Sequence, residues 1–304
     1  MPSIRSNKFI YRHSWKQLVR PLTLTGTVTP VLAGTGFAFQ KGSIDIITFL
    51  TFLIALLLIQ VSVNICNDYY DFQHGQDKEK WTSSNQIYSI QGISPNKMKA
   101  AAILLLFIAL LIGLRLAFLT SPWLIIVGIL GMTAGIFYSA GPRPLASFGM
   151  GELTASIFLG VLPFTIAYSI QGHGPGLDVF TISLTFAFLI ATMILTNNIR
   201  DIKKDKPFRV TIPIKLGKQL SVVLLSILLT VTYALVFTGI FLRIIPVLSL
   251  LVILAIPLAI RLVWSFRPNN SREHEIQAMK IAAYHHWMFG LLLAGGIWFG
   301  AVLF

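Results

Sequence analysis

Residues 66–77 read Cys66-Asn67-Asp68-Tyr69-Tyr70-Asp71-Phe72-Gln73-His74-Gly75-Gln76-Asp77. They close an uncharged apolar run, about 44–66, long enough for a helix to cross the hydrocarbon core of a bilayer. Three of the chain's 11 acidic residues crowd into this short stretch. A lone acid at a membrane border is usually just solvated, so the cluster gains meaning from whether a second one matches it.

The rest of the chain repeats the apolar half of this pattern. The hydrophobic share is 55% and the charged share 12%, against about 25% charged in an average soluble domain. The long runs are continuously apolar rather than alternating, so they read as helices. Nine such runs are expected to span, at about 21–39, 44–66, 100–119, 122–140, 150–171, 178–199, 219–241, 245–264 and 283–303. The first is rich in Thr and Gly, which suits close helix packing in lipid. The fold class expected is an all-α integral membrane bundle of nine transmembrane helices around a central cavity. It forms one domain over 1–304, with 1–19 as a basic cytoplasmic segment.

Basic residues set the orientation. With the N-terminus cytoplasmic, all of the 24 Lys and Arg except Lys41, Arg115 and Arg243 fall on the inner side. The C-terminus then lies outside. The inner connections after spans two and six are long and charged, so the chemistry is expected on the cytoplasmic face. No cleavable signal peptide is expected, because the basic first 20 residues lack an apolar core before a cleavage site. One cysteine, Cys66, excludes an intrachain disulfide. The net charge of +13 is accounted for by inner loops, and no aromatic–basic surface stretch points to nucleic acid.

A second acidic stretch mirrors the first. Asn197-Asn198-Ile199-Arg200-Asp201-Ile202-Lys203-Lys204-Asp205 follows span six, and six of the 11 acids lie in these two stretches when Glu79 is included. Asn67 precedes Asp71 by four residues, Asn197 precedes Asp201 by four, and Asp201 precedes Asp205 by four. Residues four apart share a helix face, and like charges there repel unless a cation lies between them. Mg²⁺ suits such a place, being a hard ion held by one or two carboxylates with waters and substrate phosphates. Arg200, Lys203, Lys204, Arg209 and Lys215 alongside suit phosphate oxygens. Carboxylates, Mg²⁺ and cations together describe a diphosphate site.

On these residues the chain resembles the UbiA superfamily of intramembrane aromatic prenyltransferases. NDYYDFQHGQD is similar to its first Asp-rich motif and NNIRDIKKD to its second. Within the superfamily the chain resembles most the branch that prenylates 1,4-dihydroxy-2-naphthoate, also at residues 20–35 (RPLTLTGTVTPVLAGT), 138–152 (YSAGPRPLASFGMGE) and 211–217 (TIPIKLG). The resemblance implies a cavity in which Mg²⁺ and the two motifs bind a polyprenyl diphosphate. The diphosphate leaves, an aromatic ring attacks the allylic cation, and in this branch the acceptor's carboxylate departs as CO₂ to give demethylmenaquinone.

It assigns Asp68, Asp71, Asp77, Asp201 and Asp205 to the metal. Asp68, Asp71, Asp201, Asp205 and Tyr138 are expected to be catalytic. Asn67, Asp77, Arg143, Asn197, Arg200, Lys204, Arg209 and Arg20 are expected to bind substrate. Two stretches depart from the family pattern: 78–92 (KEKWTSSNQIYSIQG) lacks an arginine- and proline-bearing sequence, and 207–210 (PFRV) replaces a Gly-basic turn. Tyr69, Tyr70 and Tyr138 lie near the motifs and are candidates for a cation-stabilising wall. The adjacent pair His285-His286 reads as packing or a hydrogen bond to the bundle, and His74 as a loop residue. The alternatives are another aromatic acceptor (4-hydroxybenzoate, homogentisate or protohaem) and, outside enzymes, a secondary transporter. Acids at helix ends on one face, rather than at the midplane, count against transport.

Overall fold

The computed structural model describes residues 9–83 and 92–303. The N-terminal residues 1–8 and most of the departing stretch 78–92 lie outside the described residues. The chain opens with strand β1 (Phe9–Tyr11), the short helix α1 (Trp15–Val19), a single 3₁₀ turn at Pro21–Thr23 and helix α2 (Thr25–Phe39). Helix α3 (Ile46–Gln73) starts on an Asp45 cap, whose Oδ1 accepts from the Ile47 amide at 2.9 Å. Strand β2 (Trp81–Ser83) follows and pairs antiparallel with β1. Helices α4 (Pro95–Leu119) and α5 (Trp123–Ser139) come next.

Span five is segmented. Helix α6 (Gly151–Ala155) passes through a π turn at Ser156–Val161 into α7 (Leu162–Ser169). Then come α8 (Leu177–Arg200), α9 (Ile202–Asp205) and α10 (Ile212–Phe241). A 3₁₀ segment at Val247–Ala255 leads into α11 (Ile256–Trp264), and α12 (Arg272–Leu303) ends the described chain. The fold is all-α apart from the small β1–β2 ribbon, which the apolar pattern did not signal because each strand is three residues long.

Among the described residues, six helical segments are long and apolar enough to cross a membrane, or seven if the pair Trp15–Thr23 and Thr25–Phe39, bent by 44°, counts as one. Trp123–Ser139 is a shorter apolar helix. The protein is a multi-pass membrane protein. Helix α12 begins at Arg272, well before the 283 expected, and its early turns bring Arg272, Ile276, Met279, Lys280 and Ala283, three or four residues apart, to the cavity.

Helix α8 is the hub. Phe186, Leu189, Ile190 and Leu195 are fully buried among α2, α7, α10 and α12. Helices α4 and α5 instead expose Ile103, Leu104, Phe107, Ile126 and Leu130, a dry outward face suited to lipid tails. The Thr/Gly-rich α2 packs by close approach. A Cβ on Gly34 would run into the Phe164 carbonyl of α7. Some of its polar groups are paired inward: Thr27 donates to Gln60 Oε1 at 2.6 Å, and Gln60 Nε2 donates to the Thr23 carbonyl at 2.9 Å, while the buried Thr35 hydroxyl has no partner among the described residues. Buried polar groups in lipid need such partners. The histidine pair behaves alike, with His286 Nδ1 at 2.8 Å from Thr25 Oγ1 and His285 Nε2 at 3.0 Å from the Tyr233 hydroxyl.

Candidate active site

The C-terminal ends of α3 and α8 meet at one end of a cavity of about 980 Å³. The cavity is lined along α3 from Phe52 to Asp71 and along α5 from Leu124 to Tyr138. At 1.5 Å rise per residue it follows α3 for roughly 25–30 Å. Its deep walls are apolar (Leu56, Ile59, Leu114, Leu124, Phe158, Ile166), and its mouth is charged. This is the shape of a site for an amphiphile with a long apolar tail and an ionic head.

The first motif stays on one helix, with Asn67 and Asp71 both inside α3. Gly75 then takes φ +82°, the left-handed turn that lets the chain double back. Asp77 is placed against Lys80 at 2.5 Å and against Lys204. Burial alone would raise the Asp77 carboxyl, but Lys80 and Lys204 hold it well below the usual carboxylate range.

The second motif is not one continuous helix stripe as the spacing suggested. Helix α8 ends at Arg200, and Asp201 caps it with φ −101° and ψ 10°. The four-residue register survives through the backbone: the Asp201 amide donates to the Asn197 carbonyl at 3.1 Å and the Asp205 amide to the Asp201 carbonyl at 2.8 Å. Asp201 is gripped by Arg200, with Nε to Oδ1 at 2.9 Å and Nη2 to Oδ2 at 2.5 Å, and Arg200 Nη2 also reaches Asn197 Oδ1 at 2.7 Å.

Arg209 joins the motifs. It lies 3.4 Å from Asp71 and 3.5 Å from Asp205, and it donates to Gln76. Lys204 makes a second bridge, from α9 to Asp77 and to Glu79 at 2.6 Å. The PFRV segment therefore supplies a site cation, and the Val210 amide pins it to the Ser147 carbonyl at 2.7 Å. Asp205 is pushed up to about 6 by burial, with the charges of Asp201, Asp71 and Asp77 adding to the shift against Arg209.

Three residues at the mouth were missed in the sequence. Tyr11, Lys80 and Arg272 line the cavity with Arg20. Tyr11 donates to Asp68 Oδ2 at 3.0 Å, while Arg20 Nη2 and Lys80 Nζ reach Asp68 Oδ1 at 2.8 and 2.6 Å. Arg272 is 3.7 Å from Asp201. Their signal was weak: Tyr11 and Lys80 come together only through the ribbon, and Arg272 only through the early start of α12. Asp68 is thus a buried anchor with both oxygens held by Tyr11, Arg20 and Lys80.

Other expected residues divide. Tyr138 lines the cavity, and Asn67 Oδ1 accepts from Ser139 Oγ at 2.9 Å. Arg143 is exposed and outside the lining, because Gly141 and Pro142 turn its loop outward. Tyr69 and Tyr70 pack edge to face at 5.1 Å in the cluster beneath the ribbon, outside the lining. His74 Nε2 meets the Gly141 carbonyl at 3.0 Å as a loop tie.

The donor set fits Mg²⁺ by chemistry: carboxylate and amide oxygens, with the Asp205 carboxyl raised first by burial and then by Asp201, Asp71 and Asp77, against Arg209. Among the described residues no three acidic, imidazole or thiol side chains are gathered closely enough to hold an ion alone. Arg and Lys are interleaved between the carboxylates instead. Such an arrangement suits an ion that arrives with substrate phosphates.

The apolar tunnel and its paired Asp–cation mouth suit an ionic-headed amphiphile. Residues 27–288 match the UbiA prenyltransferase family, and the chain belongs to that family. It is an aromatic prenyltransferase, which decides against the transporter. The chain is 35% identical to 1,4-dihydroxy-2-naphthoate octaprenyltransferase of Bacillus subtilis, over 92% of this chain and 91% of that one. It is 29% identical to the enzyme of the same name from Mycobacterium tuberculosis, over 94% and 97%. The fold resembles a UbiA homolog from Archaeoglobus fulgidus bound to GPP and Mg²⁺, with TM-score 0.58, 16% identity and coverage of 92% and 99%. It also resembles an apo UbiA homolog from Aeropyrum pernix K1, with TM-score 0.64, 13% identity and coverage of 90% and 96%.

Proposed function

We propose that this protein transfers a polyprenyl group from its diphosphate to 1,4-dihydroxy-2-naphthoate in an Mg²⁺-dependent reaction, releasing diphosphate and CO₂ and giving demethylmenaquinol, the hydroquinone form of demethylmenaquinone. The observation that carries the reading is Arg209 set between Asp71 and Asp205 at the mouth of an apolar cavity. The naphthoate acceptor is supported by the names of the Bacillus and Mycobacterium relatives.

In this reading Asp71, Asp77, Asp201 and Asp205, with the amides of Asn67 and Asn197, would hold Mg²⁺ against the diphosphate. The ion would supply Lewis-acid stabilisation of the charge that develops on the leaving group. Arg20, Arg200, Lys204 and Arg209 bind the diphosphate oxygens, and these preorganised cations favour departure of the diphosphate. The prenyl tail lies along α3 and α5, whose apolar walls keep water from the allylic carbon. Tyr138 offers a π face at the mouth, where the allylic positive charge forms. The bond from the allylic carbon to the diphosphate oxygen breaks, and a bond forms to the ring carbon that carries the carboxylate. Loss of CO₂ from that carbon returns its electron pair to the ring.

The same reading places nine spans in the cell membrane, the N-terminus inside and the mouth toward the cytoplasm, in a single domain over 1–304. Asymmetric placement of Lys and Arg supports it.

The test uses purified protein in detergent with 1,4-dihydroxy-2-naphthoate, a long-chain prenyl diphosphate and Mg²⁺, with product followed by mass and EDTA as control. Metal-dependent product lacking the carboxylate is expected. Product only with another phenol would overturn the acceptor.

A further inference from the structure

Next to Tyr138 stands a buried polar pair that the proposed diphosphate site does not use. Glu152, in the first turn of α6, is 6% exposed, and its Oε1 accepts from Asn198 Nδ2 at 2.8 Å. Its Oε2 is buried with no partner. Asn198 lines the cavity, and so does Tyr138, whose hydroxyl lies beside Gly151, the residue before Glu152. Asn198 follows Asn197 directly. One step along the helix turns the second amide away from Arg200 and toward Glu152.

Only the NH₂ of an asparagine can donate to a carboxylate. Glu152 therefore fixes the Asn198 amide with Oδ1 facing away from it, which leaves a hydrogen-bond acceptor beside the cavity. A carboxylate behind that amide repels a diphosphate and favours a neutral group that donates O–H. We propose that Asn198 Oδ1 receives a hydroxyl of the aromatic acceptor and that Glu152 is the positioning residue that keeps the amide turned that way. This rests on the aromatic-acceptor reading above and adds where the ring binds. It also separates the two substrates on α8, with Asn197 facing the diphosphate side and Asn198 the ring.

The test compares binding of 1,4-dihydroxy-2-naphthoate with its 1,4-dimethoxy analogue, which has no O–H, by calorimetry on the full protein in detergent. The wild type should favour the dihydroxy compound by about ten-fold, the value of one hydrogen bond made in a buried site. Asn198→Ala should erase that preference. In turnover, Glu152→Gln lets the amide sit either way round and should raise KM for the aromatic acceptor by several-fold, leaving KM for the prenyl diphosphate within about two-fold. Asn198→Asp sets two carboxylates face to face and should be worse. The double variant Glu152→Gln with Asn198→Asp restores one donor and one acceptor, and should recover most of the acceptor KM.

Equal affinity of the wild type for the two compounds, or a preference that survives in Asn198→Ala, would overturn the proposal. So would variants that shift both KM values together or change only thermal stability, the signature of a mere helix clamp. Failure of the proposed function shows differently, as no metal-dependent prenylation of the naphthoate by the wild type.

Discussion

The Tyr11 hydroxyl donates to Asp68 Oδ2 at 3.0 Å, which ties the N-terminal strand to the first Asp of the α3 motif across 57 residues of sequence. With Arg20 and Lys80 on the other oxygen, Asp68 holds four chain segments together. Tyr11→Phe removes one hydrogen bond to a charged group and should cost about 1.5–3 kcal/mol. Asp68→Ala leaves two cations facing each other and should cost more, although partial exposure of Arg20 and Lys80 keeps it below the roughly 3–5 kcal/mol of a fully buried pair. Thermal unfolding in detergent should rank wild type, Tyr11→Phe and Asp68→Ala in falling order.

Asp71 and Asp201 are not anchors of that kind. Asp71 has one long contact, to Arg209, and Asp201 is held mainly by the neighbouring Arg200. Asp71→Ala and Asp201→Ala should each lower turnover by about 10²-fold or more, since preorganised charge does most to stabilise a departing anion. Both should insert in the membrane and keep a melting point near that of the wild type. Substantial activity in either would remove it from the metal set.

Asp205 titrates near 6, raised by burial first and by Asp201, Asp71 and Asp77 next. Below that pH its carboxyl carries a proton that a divalent ion must displace, so Mg²⁺ affinity should fall as pH drops through about 6 and level off above it. Calorimetry in buffers of different ionisation enthalpy should find proton release on Mg²⁺ binding at pH 5.5 and little at pH 7.5. Asp205→Asn should bind more weakly and lose the pH dependence.

Arg209 spans Asp71 and Asp205 with separate nitrogens of one planar group. Lysine keeps the charge but not the fork. Arg209→Lys should raise KM for the prenyl diphosphate by roughly ten-fold, a loss on the scale of one charge-assisted hydrogen bond. KM for the aromatic acceptor should be unchanged. Steady-state kinetics with each substrate varied in turn separates the two.

Gly34→Ala tests the packing of α2. The new methyl meets the Phe164 carbonyl, a backbone group that does not swing aside. A loss of about 1–3 kcal/mol is expected, as for overpacked cores, read as a lower melting temperature with KM values unchanged.

Much of this protein was legible in one dimension. Continuous apolar runs dictate helices in lipid, because no other open structure satisfies the backbone there. The Asn-x3-Asp spacing marked both halves of the site, because side chains four apart stay neighbours through the hydrogen-bonded register even where α8 breaks at Asp201. Acids at helix ends marked the end of the cavity where the two motifs meet. Only the tertiary structure decided which charges pair. Tyr11, Lys80 and Arg272 enter the mouth through a three-residue ribbon and an early helix start, contacts too short or too distant in sequence to leave a periodic trace. The same long-range packing ties up Asp68, sends Arg143 outward and sets Glu152 behind Asn198. A residue's type states what chemistry it is capable of; its partners, fixed by folding, decide whether that capacity faces the substrate or the scaffold.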